Sequence, residues 1–225
     1  AGLGGSGDMS DNIAIGDNAM DGTGTLDALS NVFIGRDAGG GTWTTAASNY
    51  NVGIGNYAMD DALNGCLYNV AVGHQAMTDL TTGDNNVAIG YQAGLSLQSQ
   101  GDNVYLGYQA GKLNNTYQST LIGSGAGQNV VGNRATAVGY LAMQDNVGTT
   151  TGDIGIGFLT MQYKNTNGGG SVAIGEMAMR GVSNDKATGK YNVAIGQYAM
   201  QYYTSAENNV AIGKYTLNAT TTAAN

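Results

Sequence analysis

Few residues in this 225-residue chain carry side chains that do chemistry, and their spacing argues against a reaction centre. There is one histidine, His74, and one cysteine, Cys66. A zinc site of the usual kind needs several such ligands. A Ser-His-Asp triad would have to use His74, and nothing around it resembles a nucleophile elbow. His74 is expected to be surface decoration and Cys66 a buried, inert thiol. The acidic pair Asp60-Asp61 falls in a loop, whereas a glycosidase holds two carboxyls at a set separation across a cleft. No Gly-Lys-Ser/Thr phosphate loop occurs. The stretch Gly4-Gly5-Ser6-Gly7-Asp8 is one residue short of a calcium-binding nonapeptide, a pattern that works in tandem copies and stands here alone. Trp43, in a Thr-rich loop, is a candidate for stacking on a glycan, because its ring offers an apolar face to sugar C–H groups. Packing against a neighbouring coil is the other reading of Trp43. No catalytic, cofactor-binding or metal-ligating residue is therefore assigned, no cofactor is expected, and the chain is read as a non-enzyme.

The glycines explain the rest of the chain. Gly16, Gly35, Gly55, Gly73, Gly90, Gly107, Gly123, Gly139, Gly157, Gly175, Gly196 and Gly213 recur at intervals of 16–21 residues. Each lies in a block typified by Asn86-Val87-Ala88-Ile89-Gly90-Tyr91-Gln92-Ala93-Gly94. One supersecondary unit per interval is the signature of a repeat architecture. Three places before each glycine the residue is β-branched, and one place before it is Ile, Leu or Val. These positions favour a strand. Being two apart, they share one face, which is expected to be the core. The residue between them is Ala in seven repeats, with Phe33, Gly53, Tyr105, Leu121 and Gly155 as exceptions. It is expected to face away, covered by another copy of the chain or narrow and exposed. The glycine is a structural corner, required by a positive φ or by a second backbone passing close. A second short strand is expected after it.

Other columns fill in the coil. Ala or Thr lies three places after the corner, followed by Met, Gly or Leu217, so that seven of nine methionines share one column and read as core filler. Asn occupies the place before the strand in eight repeats, where stacked amides can hydrogen-bond along the array. Leu26, Leu63, Leu80, Leu95, Leu113 and Val130, in the spacers, form a third wall or a loop anchor. Tyr91, Tyr108 and Tyr140 share one column after the corner, and Tyr57, Tyr198 and Tyr215 the next, as ladder or interface residues. The expected fold is all-β, a parallel β-solenoid (β-roll) of twelve repeats over residues 12–217. It is preceded by a Gly-rich lead-in over 1–11 and followed by a tail or truncated coil over 218–225.

Composition bounds the partners. The net charge is −8 with no basic cluster, which disfavours nucleic acid and an anionic membrane surface. No apolar run is long enough for a transmembrane helix, so no membrane insertion is expected in this segment. Charged residues make up 11%, and proline is absent, so no strand is interrupted. A coil of this length has a thin core and much surface, which argues for self-association as a homotrimer.

The block Asn-Val-Ala-Ile-Gly-Tyr-Gln-Ala-Gly resembles the head repeats of trimeric autotransporter adhesins, and more closely the related repeats of phage tail fibres and other virion fibres. Asn86 to Gly94, Asn192 to Met200 and Asn209 to Leu217 carry the resemblance best. The repeats around Gly123, Gly139 and Gly157 keep only the β-branched, aliphatic and Gly positions. The resemblance implies a left-handed parallel β-roll, three chains side by side, and an extracellular attachment role towards a host cell-surface glycan or protein receptor. Adhesin heads repeat at a shorter, more regular interval. The long, variable spacers here favour a virion surface over a bacterial outer surface.

Overall fold

A computed structural model describes residues 6–147, 152–164, 169–182 and 187–219. The first five residues, the last six, and the inner parts of three spacers lie outside the described residues. Each repeat contributes one three-residue strand. Residues 1–117 form one compact unit holding β1 (Ile13–Ile15), β2 (Val32–Ile34), β3 (Val52–Ile54), β4 (Val70–Val72), β5 (Val87–Ile89) and β6 (Val104–Leu106). Residues 118–225 form a second, with β7 (Thr120–Ile122), β8 (Thr136–Val138), β9 (Ile154–Ile156), β10 (Val172–Ile174), β11 (Val193–Ile195) and β12 (Val210–Ile212). Within each unit the strands are parallel and follow chain order, and equivalent positions of successive repeats stand in register, as in Val70↔Val87, Ala71↔Ala88 and Val72↔Ile89. The fold is the expected all-β parallel solenoid. Hydrogen bonds run past the expected repeat limits: Ser6 N–H donates to Gly24 C=O and Tyr202 N–H to Asn218 C=O.

The segment after each corner differs from expectation. It is a turn, not a second strand. Left-handed φ recurs at every second residue in it. The second residue after each corner has φ of 51–65°, and the fourth 47–60°, including Met20, Met59 and Met77. Left-handed φ is costly for a long side chain. Here the ladder between coils holds it, since alternate amides point up and down the stack. Gln92 N–H donates to His74 C=O in the preceding coil, and Met77 N–H to Ala93 C=O in the following one. Replacement of Met by Gly in this column, at Gly39, Gly94, Gly111 and Gly127, is the signal that marks the left-handed position.

The larger correction concerns the strand faces. The middle residue points inward: Phe33, Ala71, Ala88, Tyr105, Leu121, Ala137, Ala173 and Ala194 are fully buried. The flanking Val, Ile, Leu and Thr residues are half-buried or exposed in every strand. The Ala column therefore belongs to the core and the two aliphatic columns to the surface. The reason is the width of the coil. The space behind the strand is taken by the buried Ala and Met columns of the turn, which leaves room for a methyl group but not for two branched chains.

Volumes inside the coil compensate each other. Where the middle residue is large, the Met column switches to Gly. A Cβ on Gly39 would lie 2.7 Å from the Phe33 ring, and one on Gly127 2.7 Å from Leu121 Cδ2. Gly94 and Gly111 both face the Tyr105 ring, at 2.7 and 2.9 Å. Leu63, Leu80 and Val130 close the third wall as expected, together with Leu97. Leu113 is exposed, and Leu95 and Leu26 are half-buried.

The Asn column forms the expected ladder. Asn86 Nδ2 donates to Asn69 Oδ1 (3.0 Å) and to Gln100 C=O (2.9 Å). Its Oδ1 accepts from Asn103 N–H and Asn103 Nδ2. Asn31, Asn51, Asn69 and Asn103 are buried with it. A fully used, buried amide has no capacity for a ligand. In the second unit Ser119, Ala135, Asp153 and Ser171 interrupt the column.

Candidate functional site

The structure offers a surface in place of a cleft. No cavity and no cluster of three or more His, Cys, Asp or Glu is found among the described residues. What stands out in each unit is the outward strand face: two columns of aliphatic side chains, two residues per strand, repeated at the inter-strand spacing of about 4.8 Å. Ile54, Ile89, Ile156 and Ile174 keep 37–38% of their surface in solvent, and Val104 and Leu106 keep 36% and 41%. Isolated exposed aliphatics are ordinary, but contiguous columns on one flat face mark an interaction surface. Sequence alternation found these two columns and assigned them to the wrong side.

Beside this face the first and second residues after the corners form further columns. His74 and Tyr91 stack with ring centroids 5.6 Å apart, Tyr91 and Tyr108 at 5.3 Å, and Tyr57 meets His74 edge-on at 5.7 Å. Arg36 lies over the Tyr57 ring at 5.0 Å. In the second unit Tyr140 stacks on Phe158, and Tyr198 on Tyr215. One place further on, Gln92 Nε2 donates to Gln75 Oε1 (2.8 Å) and Gln109 Nε2 to Gln92 Oε1 (2.9 Å). Five places after the corner a separate glutamine column runs through the second unit, where Gln144 Nε2 donates to Gln128 Oε1 and Gln162 Nε2 to Gln144 Oε1. Ring faces are turned toward each other, so the column presents edges outward. Such a column stiffens the border of the aliphatic face and offers little for sugar stacking.

All twelve corner glycines have a positive φ, and ten of them also show the close approach of a second backbone. Their φ values run from 122° to 141°. For Gly16, Gly35, Gly55, Gly73 and Gly90, and again from Gly123 to Gly196, a Cβ would collide with the carbonyl of the next corner. They are scaffold: they let the turn leave the strand at the same place in every coil, so that the aliphatic columns stay in register.

The other singled-out residues are dispersed. Trp43 is 2% exposed, so its ring lies inside the fold and presents no face to a glycan. Its apolar ring, which suggested stacking on a glycan, instead packs inside the coil array, the other of the two readings. His74 is exposed, held in the aromatic column. Cys66 is buried, and burial pushes its thiol up to about 12. Asp60 is raised above the ordinary carboxylate value, first by burial and then by repulsion from Asp37, Asp61 and Asp21. No opposing carboxyl across a cleft accompanies it. One functional group escaped the sequence reading altogether. Lys164, one of eight Lys and Arg, is fully buried against Asp153. A lone Lys next to a spacer carries no signal of burial, though Asp in an Asn column does hint that a partner is needed.

No family model, curated protein or solved structure matches this chain.

Proposed function

We propose that this chain is a structural and receptor-binding segment of a homotrimeric virion fibre, such as a phage tail fibre, which holds spacer loops toward a host-surface glycan or protein. The observation that carries this reading is the unpartnered pair of aliphatic columns on the outward strand face. A face of this kind is left uncovered at a cost of about 25 cal/mol for each Å² of apolar surface that a partner would remove from water. A three-fold assembly covers it on every chain with one repeated contact and closes on itself. The register of the parallel coils would carry that contact from coil to coil, and the stacked aromatic and glutamine columns would form its polar edge. No catalysis is assigned. The long, variable spacers favour a virion over a bacterial adhesin head, which would use the same face.

Native mass spectrometry at low micromolar concentration tests the reading. Three copies of the 22.9 kDa chain are the expected species. A stable, folded monomer would overturn the trimer and the fibre with it. Binding of the trimer to bacterial cells, before and after periodate treatment of their glycans, then separates a glycan receptor from a protein one.

A further inference from the structure

The second unit contains a buried cluster that the fibre reading does not use. At the ladder position before β9 an Asn would accept the next coil's amide and donate to its neighbours. Asp153 keeps the first role: its Oδ1 accepts from Ser171 N–H at 2.9 Å. It cannot donate, and donors are brought to it instead. Lys164 Nζ lies 2.8 Å from both carboxylate oxygens. Asn146 Nδ2 approaches Oδ2 at 3.4 Å. Asp153 and Lys164 side chains are 0% exposed, and Asn146 is buried with its Oδ1 unpartnered. Burial pulls the Lys164 amine below its ordinary value, against the attraction of Asp153. A buried ion pair is a costly substitute for the Asn that serves at eight of the twelve ladder positions.

We infer that Lys164, Asp153 and Asn146 form a self-processing cluster in which the Lys164 amine and the Asn146 side chain join as an isopeptide bond. The three groups supply a nucleophile, a proton carrier and an electrophile in a buried site. Transfer of a proton from Nζ to the Asp153 carboxylate gives a neutral amine with a free electron pair and a carboxylic acid. Rotating the Asn146 amide exchanges Nδ2 and Oδ1, an assignment that hydrogen-bond geometry alone decides. The unpartnered Oδ1 then accepts from protonated Asp153. Nζ attacks Cγ, and the carbonyl electron pair moves to Oδ1. Asp153 carries a proton from Nζ to Nδ2, the Cγ–Nδ2 bond breaks, and ammonia leaves as the carbonyl re-forms. Nζ keeps one hydrogen, Asp153 ends protonated, and no oxidant or reductant is needed. The amine and the amide meet at one carboxylate oxygen, Asp153 Oδ2, which is the geometry the step starts from. The bond would tie residue 146 to residue 164 across the stretch where the Asn ladder is interrupted. This inference is independent of the trimer reading.

Intact mass of the purified, folded full chain tests it directly. The expected mass is lighter than the sequence by one ammonia. Asp-N cleavage before Asp145 and Asp153 should leave the two pieces joined through Lys164 and Asn146. Asn146→Ala keeps the ion pair and should restore the full mass. Asp153→Asn, which restores the ladder residue, should do the same while leaving the coil folded by circular dichroism. A folded chain at full sequence mass overturns the inference. So does loss of water with Lys164 joined to Asp153. An ammonia deficit located at Asn64-Gly65, as a succinimide, with the two Asp-N pieces separate, overturns it as well.

Discussion

At the corner position, glycine is demanded twice over. Gly90 has φ of 136°, and the place of its missing Cβ is filled by the Gly107 carbonyl. Gly213 has φ of 122° but meets only Thr216 Cγ2, at 3.4 Å. Backbone strain of this kind costs of order 1–3 kcal/mol. Gly90→Ala should therefore lose clearly more stability than Gly213→Ala, which carries the strain alone, and chemical denaturation of the two variants measures the difference. Equal losses would remove the close approach as a cause. Cys66 makes a second prediction at this scale. Its thiol stays protonated in the fold up to about 12, against an ordinary 9.0. The unfolded chain therefore binds fewer protons between those values, and the thiol's contribution to stability is full below 9.0 and falls as pH rises through the window. Cys66→Ser should flatten the decline in urea midpoint over that range, relative to the parent chain.

Each coil is a small packing problem solved with two columns. Met20 and Met59, at φ of 54° and 51°, show that the backbone of Gly39, at 60°, accepts a methionine. What excludes it is the Phe33 ring. Phe33→Ala alone should cost about 3–5 kcal/mol. Adding Gly39→Met to it should recover part of that loss, although Gly39→Met by itself destabilises. A double-mutant cycle by urea unfolding reads the coupling, and additive effects would contradict the compensation. The Asn ladder follows another logic, that of saturated hydrogen bonding. Asn86→Ala removes the side-chain donor to the Gln100 carbonyl and the acceptor of the Asn103 backbone N–H in a buried place. At about 1–3 kcal/mol for each unsatisfied group, the coil should open locally. Faster hydrogen exchange at Val87 and Asn103, with the second unit unchanged, is the expected reading. The ladder was legible in the sequence because a column of identical amides has one efficient use. The Phe33–Gly39 exchange was also written there, but a column-by-column reading does not compare volumes across columns.

The outward face sets the behaviour of the whole molecule. In the proposed trimer its apolar columns would be the contact, against the mutual repulsion of chains that each carry a net charge of −8. Ile89 is 38% exposed and makes no contribution to the inner core. Ile89→Glu should leave far-ultraviolet circular dichroism unchanged and shift the assembly toward monomer in sedimentation, because a buried carboxylate at every symmetry-related contact is costly. Ala88→Glu, one residue earlier in sequence but pointing inward, should instead fail to fold. An assembly that tolerates Ile89→Glu would exclude this face as the contact.

Periodicity in the chain determines the number of coils, the place of every strand and corner, and the parallel register, because each of these is a one-dimensional property of a repeat. Trp43 and the strand faces were decided in three dimensions. Alternation of Val87, Ala88 and Ile89 separates two faces but does not say which is inner, since burial depends on what lies opposite. Opposite these strands lie the Ala and Met columns of a turn held in left-handed φ, and that turn leaves room for Ala88 alone. The same holds for Lys164: only the closing of one coil on another places its amine against Asp153, eleven residues earlier in the chain.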